Sequence, residues 1–215
     1  FVTGNHDDAL GLEEYFQLEG LAYRLVPIRS ESKSWTEYGR IDTDILYDNV
    51  VNRFVWGGAN DPDVNLDYNH IRTLIVIRSR LVYARLAKAL ASEGKKEKAI
   101  EVLNSCMELL PPERFLPDPY YTDLIDAYFA AGAPEKAMEI TREVTDYYYK
   151  RLDYYLRQNP YVLNSAEYEI QSAFQYASKA ALYCESNGIS DLSEEINAKL
   201  EEYYADYVGK RQVVR

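Results

Sequence analysis

GKKEKAIE at residues 94–101 and GAPEKAME at residues 132–139 are one phrase written twice, 38 positions apart. An apolar series at helical spacing stands ahead of each glycine: Tyr83, Leu86, Ala87 and Leu90 before Gly94, then Tyr121, Leu124, Ile125 and Tyr128 before Gly132. A second series follows, through Ala99, Leu103 and Cys106 in one copy and Ala137, Ile140 and Val144 in the other. Residues three and four apart share a helix face. Each copy therefore reads as helix, tight turn, helix, with the glycine supplying the left-handed residue that ends the first helix. Small side chains at Ala87 and Ala99 let the two helices of the first copy cross closely. In the second copy Ile125 stands where a small residue is expected, opposite Ala137, so a wider crossing is predicted there.

Outward from this core, the first unit spans about 68–111, from a cap at Asp67 to the stop at Pro111-Pro112, and the second spans about 119–158. The second unit's last helix keeps one face through Val144, Tyr148, Leu152 and Tyr155, and Pro160 is read as its end. A third, degenerate pair is predicted at about 165–187 and 190–208, joined by Asn187-Gly188, with Ala180, Ala181 and Cys184 facing Ile196, Leu200 and Tyr203. Terminal units of helical stacks are commonly atypical because one face meets solvent. The turn glycine, the EKA phrase and the small crossing residues resemble the tetratricopeptide repeat. That resemblance implies stacked helical hairpins, an α-α superhelix, over residues 67–215.

Residues 1–66 form a lead-in. Leu12, Tyr15, Phe16, Glu19, Ala22 and Leu25 suggest a helix over 7–26, ended by Pro27. YRLVPI at 23–28 suggests a short strand paired with a partner around Tyr38 to Ile41. Thr43 is read as an N-cap, with Asp44 in the first turn of a helix carrying Ile45, Leu46, Asn49, Val50 and Phe54 to Gly57-Gly58. The fold class expected is mostly α, stacked hairpins behind a small N-terminal helix and short hairpin.

Composition narrows the function. A net charge of −11 over 215 residues disfavours nucleic acid, whose phosphates need a cationic surface. No apolar run approaches the roughly 18 residues a membrane span needs. The chain opens at Phe1 without an initiator Met or a visible secretory signal, so a fragment or a processed form is expected. Arg72, Arg78, Arg80, Arg85, Lys88, Lys95, Lys96 and Lys98 gather in one region, read mainly as solvated helix surface. Cys106 and Cys184 read as buried thiols, not as a disulfide framework or a zinc site.

Sites for chemistry are sparse. Asp61, Asp63, Asn65 and Asp67 alternate like the start of a calcium loop, but Leu66 and Arg72 replace the glycine and the bidentate glutamate that geometry needs. The stretch reads as a turn and a helix cap. His6 and His70 have no nucleophile or ligand pattern beside them. No catalytic residue, cofactor or metal is expected. The 21 tyrosines cluster at 120–121, 147–149, 154–155 and 203–204. Consecutive helical residues point about 100° apart, so each cluster must show some rings at the surface. Core and rim packing is the plain explanation, and an aromatic surface for a protein partner or a glycan is the functional one. By repeat register Arg85 and Lys88 face a concave groove, where Asp123 and Asp126 hold the equivalent positions of the next unit and Phe129 lies further along. The charge swap favours pairing across adjacent helices over a cationic clamp for a peptide carboxylate.

QLEGLAYRLVPI at 17–28, GRIDTDILYDNVVNRFVWGG at 39–58 and the GKKEKAIEVL repeat together resemble the C-terminal soluble region of a family of large bacterial multi-pass membrane proteins. The membrane half of that family is similar to protein O-mannosyltransferases. Its catalytic carboxylates lie in that half, so the resemblance carries no catalytic residue onto this sequence. It implies an extracytoplasmic, periplasmic-side domain, joined to the membrane only through an N-terminal part, that helps to position a protein acceptor. The alternatives are an independent adaptor binding a peptide in its groove, cytoplasmic in that case, a glycan-binding surface, or an enzyme in its own right.

Overall fold

Apolar spacing is converted into helices through most of the chain. The computed structural model describes residues 10–31, 39–67 and 76–212. His6, His70, Tyr38, Arg72 and the expected helix start at 68 lie outside them. Two compact units result, Phe1–Ala133 and Pro134–Arg215, and the boundary falls in the turn of the second EKA phrase.

In the first unit the lead-in is a small sheet and not the helix expected over 7–26. A single 3-10 turn at Glu13–Tyr15 leads into β1 (Phe16–Leu18), which pairs antiparallel with β2 (Tyr23–Leu25) and parallel with β3 (Arg40–Ile41). Strand β2 thus exists, but its partner is β1 and not the 38–41 segment, because β1 is the central strand. The helix reading fails on burial. Phe16, Gln17 and Leu18 are all buried in succession, whereas a helix would bury only every third or fourth residue. Gly20 makes the return possible: its φ is +129°, and a Cβ there would collide with the Phe54 ring.

Helix α1 (Thr43–Tyr47) runs on as a π-helical segment, Asp48–Arg53. The cap lies one residue earlier than predicted: the Asp42 carboxylate accepts from the Ile45 N–H at 3.2 Å. Thr43 is instead buried, and its hydroxyl donates to Glu93. The segment ends at Arg53, capped by extended Phe54, short of the glycine pair. Residues 57–64 are consecutive turns, with the Asp61 carboxylate accepting from the Asp63 N–H.

Helices α2 (Ile77–Ser92) and α3 (Lys96–Leu109) form the first predicted hairpin, and α2 also packs on α4 (Tyr121–Ala131). Gly94 and Gly132 have φ of +78° and +81°, the left-handed turn read from sequence. Leu86, Ala87, Leu90, Ala99, Leu103, Leu124, Ile125 and Tyr128 are fully buried, so the repeat pattern is the core pattern. Apolar side chains of this size each contribute roughly 1.5–3 kcal/mol when removed from water.

In the second unit α5 (Pro134–Leu156) is followed by a short α6 (Pro160–Ser165). Pro160 opens α6 where the sequence reading only had it close a helix. Asn159 caps α6 by accepting from the Val162 N–H, and proline suits the first helical position because no N–H is needed there. Helices α7 (Glu167–Ser186) and α8 (Ser190–Gln212) form the predicted last hairpin, turning at Gly188 with φ of +79°. Ala173, Ala177, Ala180 and Ala181 let α7 pack closely on α5 and α8. Both units are mostly α, built of packed helical hairpins, and the first carries a small strand lead-in.

Candidate functional site

Arg85 and Lys88 are three residues apart on α2 and so share a face. The two cations meet different fates. Arg85 is buried against the lead-in, donating to the Tyr23 hydroxyl at 3.1 Å and to the Gly39 carbonyl at 3.0 Å. Gly39 must be glycine there: its φ is +80°, and an added Cβ would press on the Phe16 carbonyl and the Tyr23 ring. Lys88 reaches the Asp126 carboxylate at 2.6 Å, half-exposed. Asp123 stands in the first turn of α4, and Phe129 in its last turn, both half-buried. A cavity of about 480 Å³ is lined by Arg85, Lys88, Glu93, Glu31, Gly39 and Ile41 among others. Asp123, Asp126 and Phe129 are not among its described lining residues. The sequence-predicted groove residues are therefore divided between this cavity and α4.

Carboxylates and hydroxyls fasten the cavity's rim. Lys95 bridges Glu93 at 2.7 Å and Asp44 at 3.3 Å, while Thr43 donates to Glu93 at 2.8 Å. The hydrogen bonds from Lys95 and Thr43 hold the Glu93 carboxyl below its usual range, and the Glu93 bond raises Lys95. The Tyr47 hydroxyl donates to Glu101 at 2.8 Å, with Lys98 over the Tyr47 ring. These contacts join α1 to the first hairpin.

Among the described residues, a fully buried charge was missed by the solvated-surface reading. Arg80 is fully buried and bridges Asp118 at 2.5 Å. It also donates to the carbonyls of Phe115 at 2.6 Å, Leu116 at 3.0 Å and Leu110 at 3.3 Å, and its guanidinium lies over the Tyr121 ring. Asp118 in turn accepts from the N–H groups of Tyr120 and Tyr121, which start α4. The irregular 110–120 segment has carbonyls that no helix satisfies, and one guanidinium with five donors satisfies three of them. A signal was present: Arg80, Tyr83, Ala87 and Leu90 lie on one stripe of α2, so an arginine sits on the buried face. Cys106 is near this node. Burial first, with Asp118 adding to it and Arg80 opposing, pushes its thiol up to about 12. Burial also raises Cys184, and Thr141 opposes that shift. Thiols so shifted are poor nucleophiles.

The second unit places its polar chemistry outside. Tyr149 stacks on Tyr203 at 5.6 Å, and Tyr148 lies 5.7 Å from Tyr176. Burial pushes both Tyr149 and Tyr203 up to about 12. Tyr154, Tyr161, Tyr168 and Tyr204 remain 59–82% exposed. A groove of about 750 Å³ runs along α7 and α8, with Phe174, Tyr204 and Tyr207 among its walls. The tyrosine clusters thus supply both core and surface, as the 100° step requires.

Residues 1–45 match the family model of TMEM260-associated domain 2. This links the lead-in, through β3 and the start of α1, to that family of domains. No curated protein and no solved structure matches the chain. Among the described residues no helix is long and apolar enough to cross a membrane.

Proposed function

We propose that this chain is a non-catalytic protein-interaction domain of a glycosyltransferase-like membrane protein, held on the extracytoplasmic face and positioning a protein acceptor. The observation that carries the reading is the surface of the second unit. Tyr154 at 61%, Tyr161 at 82% and Tyr168 at 75% exposure present large rings without a core role. Exposed aromatic side chains are favoured anchors of protein contacts. The domain match over residues 1–45 supports the membrane-enzyme setting. A tetratricopeptide-like organisation of residues 67–215, behind a lead-in of residues 1–66, belongs to the same proposal. It accounts for the two EKA turns. The groups that could do chemistry point the same way: Arg80 and Arg85 hold structure, and both thiols are buried. A carboxylate clamp by Arg85 and Lys88 is the weaker reading, because each already holds a partner within the unit.

The test compares a parent protein with and without this domain, in membranes. Sugar transfer is followed onto folded acceptor proteins and onto a short peptide acceptor. Deletion is expected to raise KM for the folded acceptors and leave peptide turnover unchanged. Equal loss on both acceptors, or turnover by the isolated chain, overturns the proposal.

A further inference from the structure

Helix α8 carries more negative charge than it neutralises. Its ion pairs engage Glu195 with Arg142, Glu202 with Lys199, and Asp206 with Lys210. Glu201 enters none of them and faces the groove along α7 and α8. Beside it three rings form a corner. Phe174 meets Tyr204 edge-on at 5.9 Å and 81°, and meets Tyr207 at 6.3 Å and 48°. Tyr204 is 59% exposed, so its face is open. The corner already accepts one cation: the Arg211 guanidinium lies 5.5 Å over the Tyr207 ring and donates to its hydroxyl. Glu167 neutralises that guanidinium at 2.7 Å, which leaves the Glu201 carboxylate and the Tyr204 face for a second.

We propose that this groove is a docking site for a lysine- or arginine-bearing segment of a protein partner. The proposal rests on the interaction-domain reading and names the chemistry of what is bound. An aromatic face attracts an ammonium or guanidinium through its quadrupole, and a neighbouring carboxylate adds the opposite charge. The groove's volume, about 750 Å³, suits one or two long side chains. A net charge of −11 favours encounter with a basic segment and repels a second copy of the chain.

The test uses the full chain and fluorescein-labelled short peptides of alternating lysine and glycine, with acetyl-lysine and glutamate counterparts. Binding is read by fluorescence anisotropy. The lysine peptide is expected to bind saturably and to weaken as salt rises, and the other two are expected not to bind. Glu201→Gln is expected to weaken the lysine peptide about threefold to fivefold, as for an exposed ion pair. Tyr204→Ala is expected to weaken it about twofold to fivefold, and the double variant roughly tenfold or more. Both side chains are exposed, so thermal melts of the variants are expected to match the parent chain. Equal binding of the lysine and acetyl-lysine peptides, full binding by the double variant, or displacement only by a neutral oligosaccharide such as maltotetraose overturns the proposal. Loss of this binding with an intact KM effect in the membrane assay refutes the groove and leaves the interaction domain standing. The reverse pattern refutes the acceptor role and keeps the groove.

Discussion

The first unit buries charge, and the second exposes rings. Residues 110–120 of the first unit are irregular, so their carbonyls need donors that no helix supplies. Arg80 brings those donors into the core and Asp118 neutralises it. The second unit is built from helices whose backbone groups satisfy one another. Its interior is mainly alanine, leucine and isoleucine, with Val144, Tyr148, Cys184 and Tyr207 among them and threonines such as Thr141 and Thr145 bonded back to their own helix. Polar function is then free to sit outside, on Tyr154, Tyr161, Tyr168 and Tyr204. Irregular backbone draws polar side chains inward, and regular backbone releases them to the surface.

The strongest way to break this contrast is Arg80→Ala. It strands the Asp118 carboxylate and three carbonyls, and is expected to cost about 3–5 kcal/mol in urea unfolding. A cost below about 1 kcal/mol, in the range of an ordinary surface substitution, would mean that the 110–120 segment does not depend on the node. Next come the small-residue positions. Ala87→Leu in the first unit and Ala177→Leu in the second both add methylenes at fully buried sites. Each is expected to cost about 1–3 kcal/mol. Equal costs would show that close packing is shared and only the polar design differs, whereas a silent Ala87→Leu would place the first hairpin's crossing elsewhere.

Alkali sharpens the comparison from the second unit's side. Tyr149 and Tyr203 are held protonated up to about 12 by burial, against about 10 in an unfolded chain. The folded form therefore retains protons that the unfolded form has lost. Their stabilisation is full below pH 10 and disappears as pH climbs toward 12. Melting temperature should fall across that window, and Tyr149→Phe with Tyr203→Phe should flatten the fall. A wild-type profile that stays level there would contradict the stacked, half-buried pair. The smallest effect is expected at Lys88 and Asp126. A double-mutant cycle should return about 0–1 kcal/mol of coupling, because the pair is half-exposed. A coupling of about 3 kcal/mol or more would put it in the class of Arg80 and Asp118.

What could be read directly from sequence was whatever depends on local spacing. The helices beside Gly94 and Gly132 and the buried stripe through Tyr83, Ala87 and Leu90 follow from a 3.6-residue period, and the left-handed cap at Gly94 follows from a glycine placed at a helix end. The candidate groove was legible only as a register: Arg85 and Lys88 do share a face, but a register cannot say what each side chain meets. Where neighbours come from far along the chain, tertiary structure decided. Phe16, Gln17 and Leu18 fit a helical pattern as well as a strand, and only pairing with residues 23–25 and 40–41 makes them β1. Arg85 became a brace for Tyr23 and Gly39, 62 and 46 positions away, and Arg80 an anchor for Asp118, 38 positions away. The corner of Phe174, Tyr204 and Tyr207 joins two helices across the Gly188 turn. Helix periodicity is a property of neighbours in sequence, and each of these contacts is fixed by the low cost of satisfying a buried polar or aromatic group with whatever the fold brings beside it.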